Sequence, residues 1–517
     1  MTKHDKRENT PEEANGAGLR AESAPRATED LSSQVISGSF WVLIGFGANA
    51  IVNLVRTILL ARALPIEAYG AAAAVLVVSR VLGALGTLGL QAAAIQQKEE
   101  PTRDLMDTVW TIDRLLLKVA SAGALFIFAP QIAEYFGDAS LESAIALLAL
   151  FPLAMAVENN AMIALSRKLD IRRRVQLDLS SALGGALILP AIFFYPDITV
   201  VVVSLIVGRL LRSIVSYFIY PVWPRFRLHL PSFRKVFPFG RWVFLQNMLL
   251  MSREQIDKIL LASILGVSGL GLFELGQRLG AQLISIADQL ALKVLFPVFA
   301  RSQEDRQIGG KRYLITLSVL SAVVIPTAAF LAISADRVTP LLFGEGWEGA
   351  IVAAQILAIA AAIRVIGGAS HPLIRGFGRS DLELGMNIAL VGAIIIAILI
   401  FAPRHGVVGA AYAVLIAHAV QLPISFLTTR LYLGVSIRSV LRTLSPATLA
   451  AALAASLGLG FSWHLPRDGL LPMLIIAAVF AAAYLSLFLG LARLVDGERF
   501  SVILRSLRRA RGRRAHR

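Results

Sequence analysis

Between Val35 and Leu494 the chain consists of long apolar segments separated only by short polar breaks. About twenty apolar residues in a helix cross a hydrocarbon core about 30 Å thick. In that medium each backbone N–H and C=O needs a partner inside the protein, which leaves helices and closed barrels. Segments this long without strict alternation read as helices. The expected class is an all-α integral membrane protein. About fourteen spans are expected by length, at residues 37–62, 70–95, 107–130, 141–166, 177–195, 199–220, 241–264, 268–297, 313–334, 349–373, 382–402, 407–429, 440–462 and 469–494. The span at 107–130 is the least apolar, because Asp113, Arg114 and Lys118 crowd its first half.

Composition excludes the soluble alternative. The chain is 56% hydrophobic, with a mean hydropathy of +0.69, and it lacks the polar surface that several soluble cores would need. The net charge of +16 would suggest nucleic acid in a soluble protein. Here the cations sit in inter-helix breaks and the C-terminal tail, so their first role is topology. There is no cysteine, so neither disulfides nor thiol chemistry contribute.

Alternate breaks hold Lys98 and Arg103; Arg167 to Arg174; Arg225 to Lys235; Arg301 to Arg312; Arg375 and Arg379; and Arg430 to Arg442. The opposite breaks hold only Arg337, Arg404 and Arg467. This bias places the basic side and both termini in the cytoplasm. Residues 1–33 are polar and aperiodic and read as a disordered tail. They do not read as a cleavable signal, since the first apolar segment is too long and no small-residue site follows it. The arginine-rich tail at 496–517 reads as a stop signal on anionic headgroups rather than a nucleic-acid arm.

A shift of 201 residues lays Trp41-Val42 on Trp242-Val243, Ile58 to Ala61 on Ile259 to Ala262, Leu64 on Leu265 and Gly70 on Gly271. Six helices separate the copies, and an even number keeps them parallel, related by an axis along the membrane normal. The expected architecture is two six-helix lobes with this pseudo-two-fold, helices 1–6 (34–220) and 7–12 (241–432). A linker at 221–240 joins the lobes, and helices 13–14 (433–495) are appended.

Charges fall in the middle of the hairpin from Gly240 to Pro297, whose turn is placed at Gly266–Gly269. A charge at that depth costs about 2.5–3.5 kcal/mol on an insertion scale, so it must face protein or water. Gln246, Arg253 and Asp257 share one helical face, as do Glu274, Arg278, Gln282, Ser285 and Gln289. The repeat extends the stripe to Asn49, Asn53 and Arg56 in helix 1. In helix 2 it extends to Arg80, Thr87 and Gln91, beside Gly83, Gly86 and Gly89, which allow close helix approach.

Arg80, Arg253 and Arg278, with Arg56, Asn53 and Gln282, are the expected lining of a hydrated basic cavity. A guanidinium surplus there suits a pyrophosphate or an acidic sugar. Asp257, Glu274 and Asp288 are candidates for carrying a coupling ion. The competing structural reading makes Arg253–Asp257 and Glu254–Lys258 internal salt bridges within one helix. Glu158-Asn159-Asn160, Arg209, Arg212 and Arg364 are further lining candidates, with Arg209 and Arg212 better read as snorkelling to the cytoplasmic surface.

Enzyme signatures are absent: there is no phosphate loop, no nucleophile elbow and no histidine at metal-ligand spacing. Gly368 to Pro372 reads as a helix break. No cofactor and no metal are expected, with energy supplied by an ion gradient or the membrane potential.

The stretch Ile58-Leu59-Leu60-Ala61-Arg62-Ala63-Leu64-Pro65-Ile66-Glu67-Ala68-Tyr69-Gly70, continuing to Gly89-Leu90 and Ile95 to Lys98, resembles the opening of the bacterial polysaccharide-biosynthesis flippases. These are the Wzx-type members of the multidrug/oligosaccharidyl-lipid/polysaccharide exporter superfamily. Gln255 to Leu261, Gly269 to Leu279 and Leu295 to Arg301 resemble that family's seventh and eighth helices, and Leu341 to Trp347 the start of its tenth. The likeness runs from about Ser33 to Leu494 and is nearest the exopolysaccharide-type branch. Phe273 stands where family members often carry tyrosine, which keeps an aromatic in place.

The resemblance implies two six-helix lobes around a V-shaped cavity with alternating access, in the bacterial inner membrane. It implies an undecaprenyl-pyrophosphate-linked oligosaccharide as passenger, with polysaccharide polymerase and chain-length machinery as neighbours. By position it points to Asp257 and Arg278; Arg80 and Arg253 rest on the stripe alone. A peptidoglycan-precursor flippase and a cation-coupled drug exporter of the same superfamily are alternatives, the exporter disfavoured by the basic stripe. From other classes, a membrane glycan polymerase or ligase and a scaffold for polysaccharide synthases remain open.

Overall fold

The computed structural model describes Trp41, residues 44–290, 306–371, Ile374, 379–466 and 469–515, with side chains left out at 282–290, 306–307, 380 and 496–515. The described residues form helices with no strand. In order these are α1 (Ile44–Ala63), α2 (Ile66–Leu85), α3 (Leu90–Gln96), α4 (Arg103–Tyr135), α5 (Leu141–Ala156), α6 (Ala161–Arg167) and α7 (Ile171–Phe193). Then come α8 (Ile198–Ile219), α9 (Leu230–Leu290), α10 (Arg306–Phe343), α11 (Glu348–Gly368), α12 (Ser380–Leu433), α13 (Ile437–Ser462) and α14 (Leu470–Ala515).

Among the described residues, 11 helices are long and apolar enough to cross a membrane, or 12 if the bent pair α5–α6 is one span. Their outer faces carry exposed Phe126, Phe128, Leu187, Phe218 and Leu453. Apolar faces of that extent suit lipid and not water. The 1–33 segment lies outside the described residues. The basic tail, by contrast, continues α14 as helix through Ala515.

Helix α9 is 61 residues long, roughly 90 Å at 1.5 Å per residue, far beyond one crossing. Gly266, at φ 69° and ψ −175°, breaks it. Only glycine takes that backbone without strain, so the turn falls at the expected place. Gly406 breaks the 54-residue α12 in the same way. The helix before Gly266 begins at Leu230, eleven residues earlier than its apolar core suggests. The join between the halves is thereby reduced to an extended segment at 221–229. Its amides at Arg225, Arg227 and His229 donate to Asp107, Thr111 and Thr108 on one face of α4.

Two expected straight helices are broken. The segment 70–95 divides into α2 and α3 at Gly86–Gly89, and Gly89 is left-handed at φ 71°. The amides of Leu88 and Leu90 across this break are held by the two Asp113 oxygens at 3.0 and 3.1 Å. Asp113 sits in a π-helical turn, Trp110–Leu116, within α4. Arg167 closes the far end of α3 by donating to the carbonyls of Ala94, Ile95 and Gln97. The segment 141–166 bends by 50° between α5 and α6.

The largest apolar core joins α1, α2, α4, α5 and α8 to α9 and α11, through Leu60, Tyr69, Val75, Leu148, Val201, Leu270 and Trp347. Separate cores lie between α9, α11 and α12, and between α10, α13 and α14. At the joining core the backbones touch. A Cβ on Gly70 would overlap the Val267 carbonyl oxygen, and one on Gly271 would lie 3.0 Å from the Ile66 carbonyl oxygen. The two contacts interchange under the 201-residue shift, as in an isologous interface. Around them Arg62 donates to the carbonyls of Leu341 and Leu342 at 2.6 and 2.9 Å, and Trp347 Nε1 donates to the Ala61 carbonyl at 3.0 Å.

A branched side chain at Gly70 must separate these backbones. Cysteines placed at Ile66 and Val267 in this cysteine-free chain should cross-link with a short bismaleimide. Adding Gly70→Val should abolish the cross-link, whereas Gly83→Val, a site with no heavy atom near its Cβ, should leave it intact.

Candidate functional site

The two arms of α9 pack side by side past Gly266 and bring their charges together. Lys258 Nζ lies 3.4 Å from Glu274 Oε2, and Arg278 donates to Glu274 Oε1 at 2.6 Å. Lys258 and Glu274 are buried. The two bridges expected within the first arm, Arg253–Asp257 and Glu254–Lys258, are absent from the described ion pairs. Asp257 instead accepts from the Lys258 amide at 2.9 Å and from Gln277 at 3.3 Å, and Lys258 meets Glu254 only at its carbonyl. The helix reaches across the hairpin because the opposite arm offers a carboxylate sheltered from lipid.

A central chamber of about 180 Å³ opens beside this pairing, between α2, α9, α11 and α12. Arg80, Arg253, Lys258 and Arg364 line it against Glu254 and Asp257, leaving it net basic. Arg253 donates to Asn387 at 3.0 Å. Arg80 and Arg364 form no ion pair among the described residues.

A smaller bridging chamber of about 40 Å³ is lined by Asn53, Arg56, Arg80, Glu274 and Arg278. Arg80 lines both spaces. Arg80, Arg253 and Arg278 are therefore brought to adjoining cavities rather than dispersed. Asn53 and Arg56 also line a third, lateral chamber of about 340 Å³, with Asn49, Asp178, Arg209 and Arg212. The three polar residues of helix 1 thus face inward together. Those of helix 2 do not, because the break after Leu85 redirects the chain. Arg80 faces the cavities while the Gln91 amide contacts Arg114. Gln282, Ser285, Asp288 and Gln289 lie outside the described side chains.

The largest buried charge cluster was not expected from the sequence. Glu158, fully buried at the α5–α6 bend, meets Arg114, Arg209 and Arg212, each at 3.3 Å. Arg212 also bonds Asp178 at 2.6 Å. Arg212 therefore does not snorkel; its side chain is 8% exposed and turned inward. Lys118, 1% exposed, lies in the same region. The adjacent side-chain amides also donate internally, Asn159 to the carbonyls of Ser216 and Tyr220 and Asn160 to that of Met106. This cluster accounts for the polar first half of α4, which is sequestered inside the N-terminal half. The visible sign was Glu-Asn-Asn within an apolar segment, though no spacing rule names three arginines on different helices as its partners.

Comparison with known proteins adds the context. A family model described as polysaccharide biosynthesis protein matches residues 59–352. The chain is similar to the lipopolysaccharide biosynthesis protein WzxC of Escherichia coli (strain K12), 23% identical over 418 residues, 80% of this chain and 85% of that one. It is similar to the teichuronic acid biosynthesis protein TuaB of Bacillus subtilis (strain 168), 22% identical over 355 residues, 68% and 73% of the two chains. Among solved structures it shares the fold of the lipid II flippase MurJ in its inward closed conformation. The TM-score is 0.71 with 14% identity, covering 89% of this chain and 99% of that one.

Removing the Glu158 charge leaves three buried arginines facing one another. Breaking a buried ion network by one partner typically costs about 3–5 kcal/mol. Glu158→Gln should markedly lower the unfolding temperature of the detergent-purified protein, and adding Arg114→Gln should recover part of the loss. An unchanged transition in the single variant would contradict this reading of the cluster.

Proposed function

This chain belongs to the polysaccharide biosynthesis protein family, and from that premise we propose that it flips an undecaprenyl-pyrophosphate-linked oligosaccharide repeat unit across the inner membrane by alternating access. At the coarser level it is a multi-pass membrane transport protein of polysaccharide biosynthesis, not an enzyme. The observation that carries the finer reading is Arg80, which faces both the central and the bridging chamber and so adjoins Arg253, Arg278 and Arg56. Guanidinium groups on separate helices around connected spaces suit a pyrophosphate, whose oxygens accept paired N–H donors. The prenyl chain stays in lipid while the charged head crosses through the chambers.

Fourteen crossings follow if Gly266 and Gly406 each close a hairpin and α5–α6 is one span. Two lobes rocking about the Gly70–Gly271 contact would then reverse access. Arg62 and Trp347 close one end through backbone carbonyls, so opening there exchanges those bonds for water. Asp257 is the better candidate for a coupling ion. Glu274 is already flanked by Lys258 and Arg278, whereas among the described residues Asp257 accepts from an amide N–H and a glutamine. Net basic lining disfavours a cationic drug as passenger. A peptidoglycan-precursor flippase would share the fold, and loss of viability on deletion, rather than loss of surface polysaccharide, would favour it.

The test is flipping of a lipid-linked oligosaccharide by the full chain in proteoliposomes. A charge-assisted hydrogen bond contributes about 1.5–3 kcal/mol. Arg80→Ala, Arg253→Ala and Arg278→Ala should therefore each slow flipping by roughly tenfold or more. Unaltered flipping in all three would sink the mechanism. Reporters fused to the two termini should both read cytoplasmic; a periplasmic signal from either would overturn the orientation.

A further inference from the structure

The lateral chamber, like the bridging one, holds arginines with unpartnered nitrogen atoms. It lies within the N-terminal half, between α1, α7 and α8, and the Phe151 side chain of α5 closes one wall. Arg212 is held by Glu158 and Asp178, and Arg209 reaches Glu158 by one terminal nitrogen. Arg209 Nε and Arg56 Nη2 are nevertheless buried with no hydrogen-bond partner among the described residues. Arg56 forms no ion pair among the described residues either. Two incompletely satisfied guanidinium groups, from α1 and α8, thus line one space, together with the Asn53 amide and the Ser181 hydroxyl. A buried charged donor left without a partner is a liability that a bound acceptor removes.

We propose that the lateral chamber is an oxyanion subsite that takes one carboxylate or phosphate group between Arg56 and Arg209. The lining arginines Arg56, Arg209 and Arg212 outnumber its one carboxylate, Asp178, so the space rejects cations. Glu158 acts from behind as a positioning residue, fixing Arg209 and Arg212 without entering the chamber. At about 340 Å³, against a share of roughly 30 Å³ per water, the space admits a sugar-sized acid. Asn53 and Arg56 connect it to the bridging chamber, so a passenger whose pyrophosphate sits by Arg80 has a route for an acidic substituent into the N-terminal half. That origin for the oxyanion rests on the transport reading; the site itself does not.

Calorimetric titration of the detergent-purified full chain tests the site directly, with sodium glucuronate, inorganic phosphate and neutral glucose as probes. Glucuronate or phosphate should bind and glucose should not. Arg209→Gln should weaken that binding roughly tenfold or more. Ala186→Met fills the same chamber without touching the ion network and should do likewise, at an unchanged unfolding temperature. Glucuronate binding tighter than phosphate identifies a sugar carboxylate as the ligand, and the reverse order identifies a phosphoryl group. Binding equal to wild type in both variants, or no binding of either anion to wild type, overturns the proposal. Loss of flipping with this binding intact would count against the transport reading alone.

Discussion

A charge inside the hydrocarbon core is tolerated only where protein or water surrounds it, and that constraint orders most of this structure. The cations and carboxylates of the membrane interior fall into two groups. In the first, Glu158 gathers Arg114, Arg209 and Arg212, and Asp113 bonds the amides at the α2–α3 break. Asp113 thereby holds irregular backbone, where the helix ladder fails and its open amides need partners. In the second, Arg80, Arg253, Arg278 and Arg56 face connected spaces with fewer carboxylates than cations. The first group is mostly paired inside the protein, with Arg209 also lining the lateral chamber, and the second lines the other two chambers.

The broken helices belong to the same logic. Helix α2 ends just before Gly86, α4 carries a π turn and α5 bends into α6, all within one region of the N-terminal half. π turns and kinks recur where a helix must present a side chain off its regular path. Here Arg114 meets Gln91 and Glu158, while Asp113 takes the amides of Leu88 and Leu90. The C-terminal half has no counterpart of this cluster among its described ion pairs; its charge pairing runs across the Gly266 hairpin instead. The two halves therefore differ in how each handles its polar interior.

At the centre of the contact between the halves, backbone touches backbone. Gly70 and Gly271 let α2 and α9 touch, and the exchange of contacts under the repeat makes the junction locally symmetric. Arg62 and Trp347 seal its rim through carbonyl oxygens. The exposed Arg62 bonds are readily replaced by water, whereas the buried Trp347 bond and the apolar core around Tyr69 and Leu270 are not.

Length and hydropathy alone determined that this chain is helical and membrane-embedded, because lipid leaves no other use for such segments. The turn at Gly266, the inward stripe of Asn49, Asn53 and Arg56, and the surplus of cations near the midplane were also legible, since each depends on local backbone or helical period. What the sequence could not supply was partnership. Whether Arg253 pairs with Asp257 or Lys258 with Glu274, and whether Arg212 snorkels or turns inward to Glu158, depends on which helices stand side by side. Helical period says which residues share a face, while only packing says what that face meets. The broken α2 shows the difference, since a stripe read as continuous from Arg80 to Gln91 is divided by one left-handed glycine and sent to two different sites.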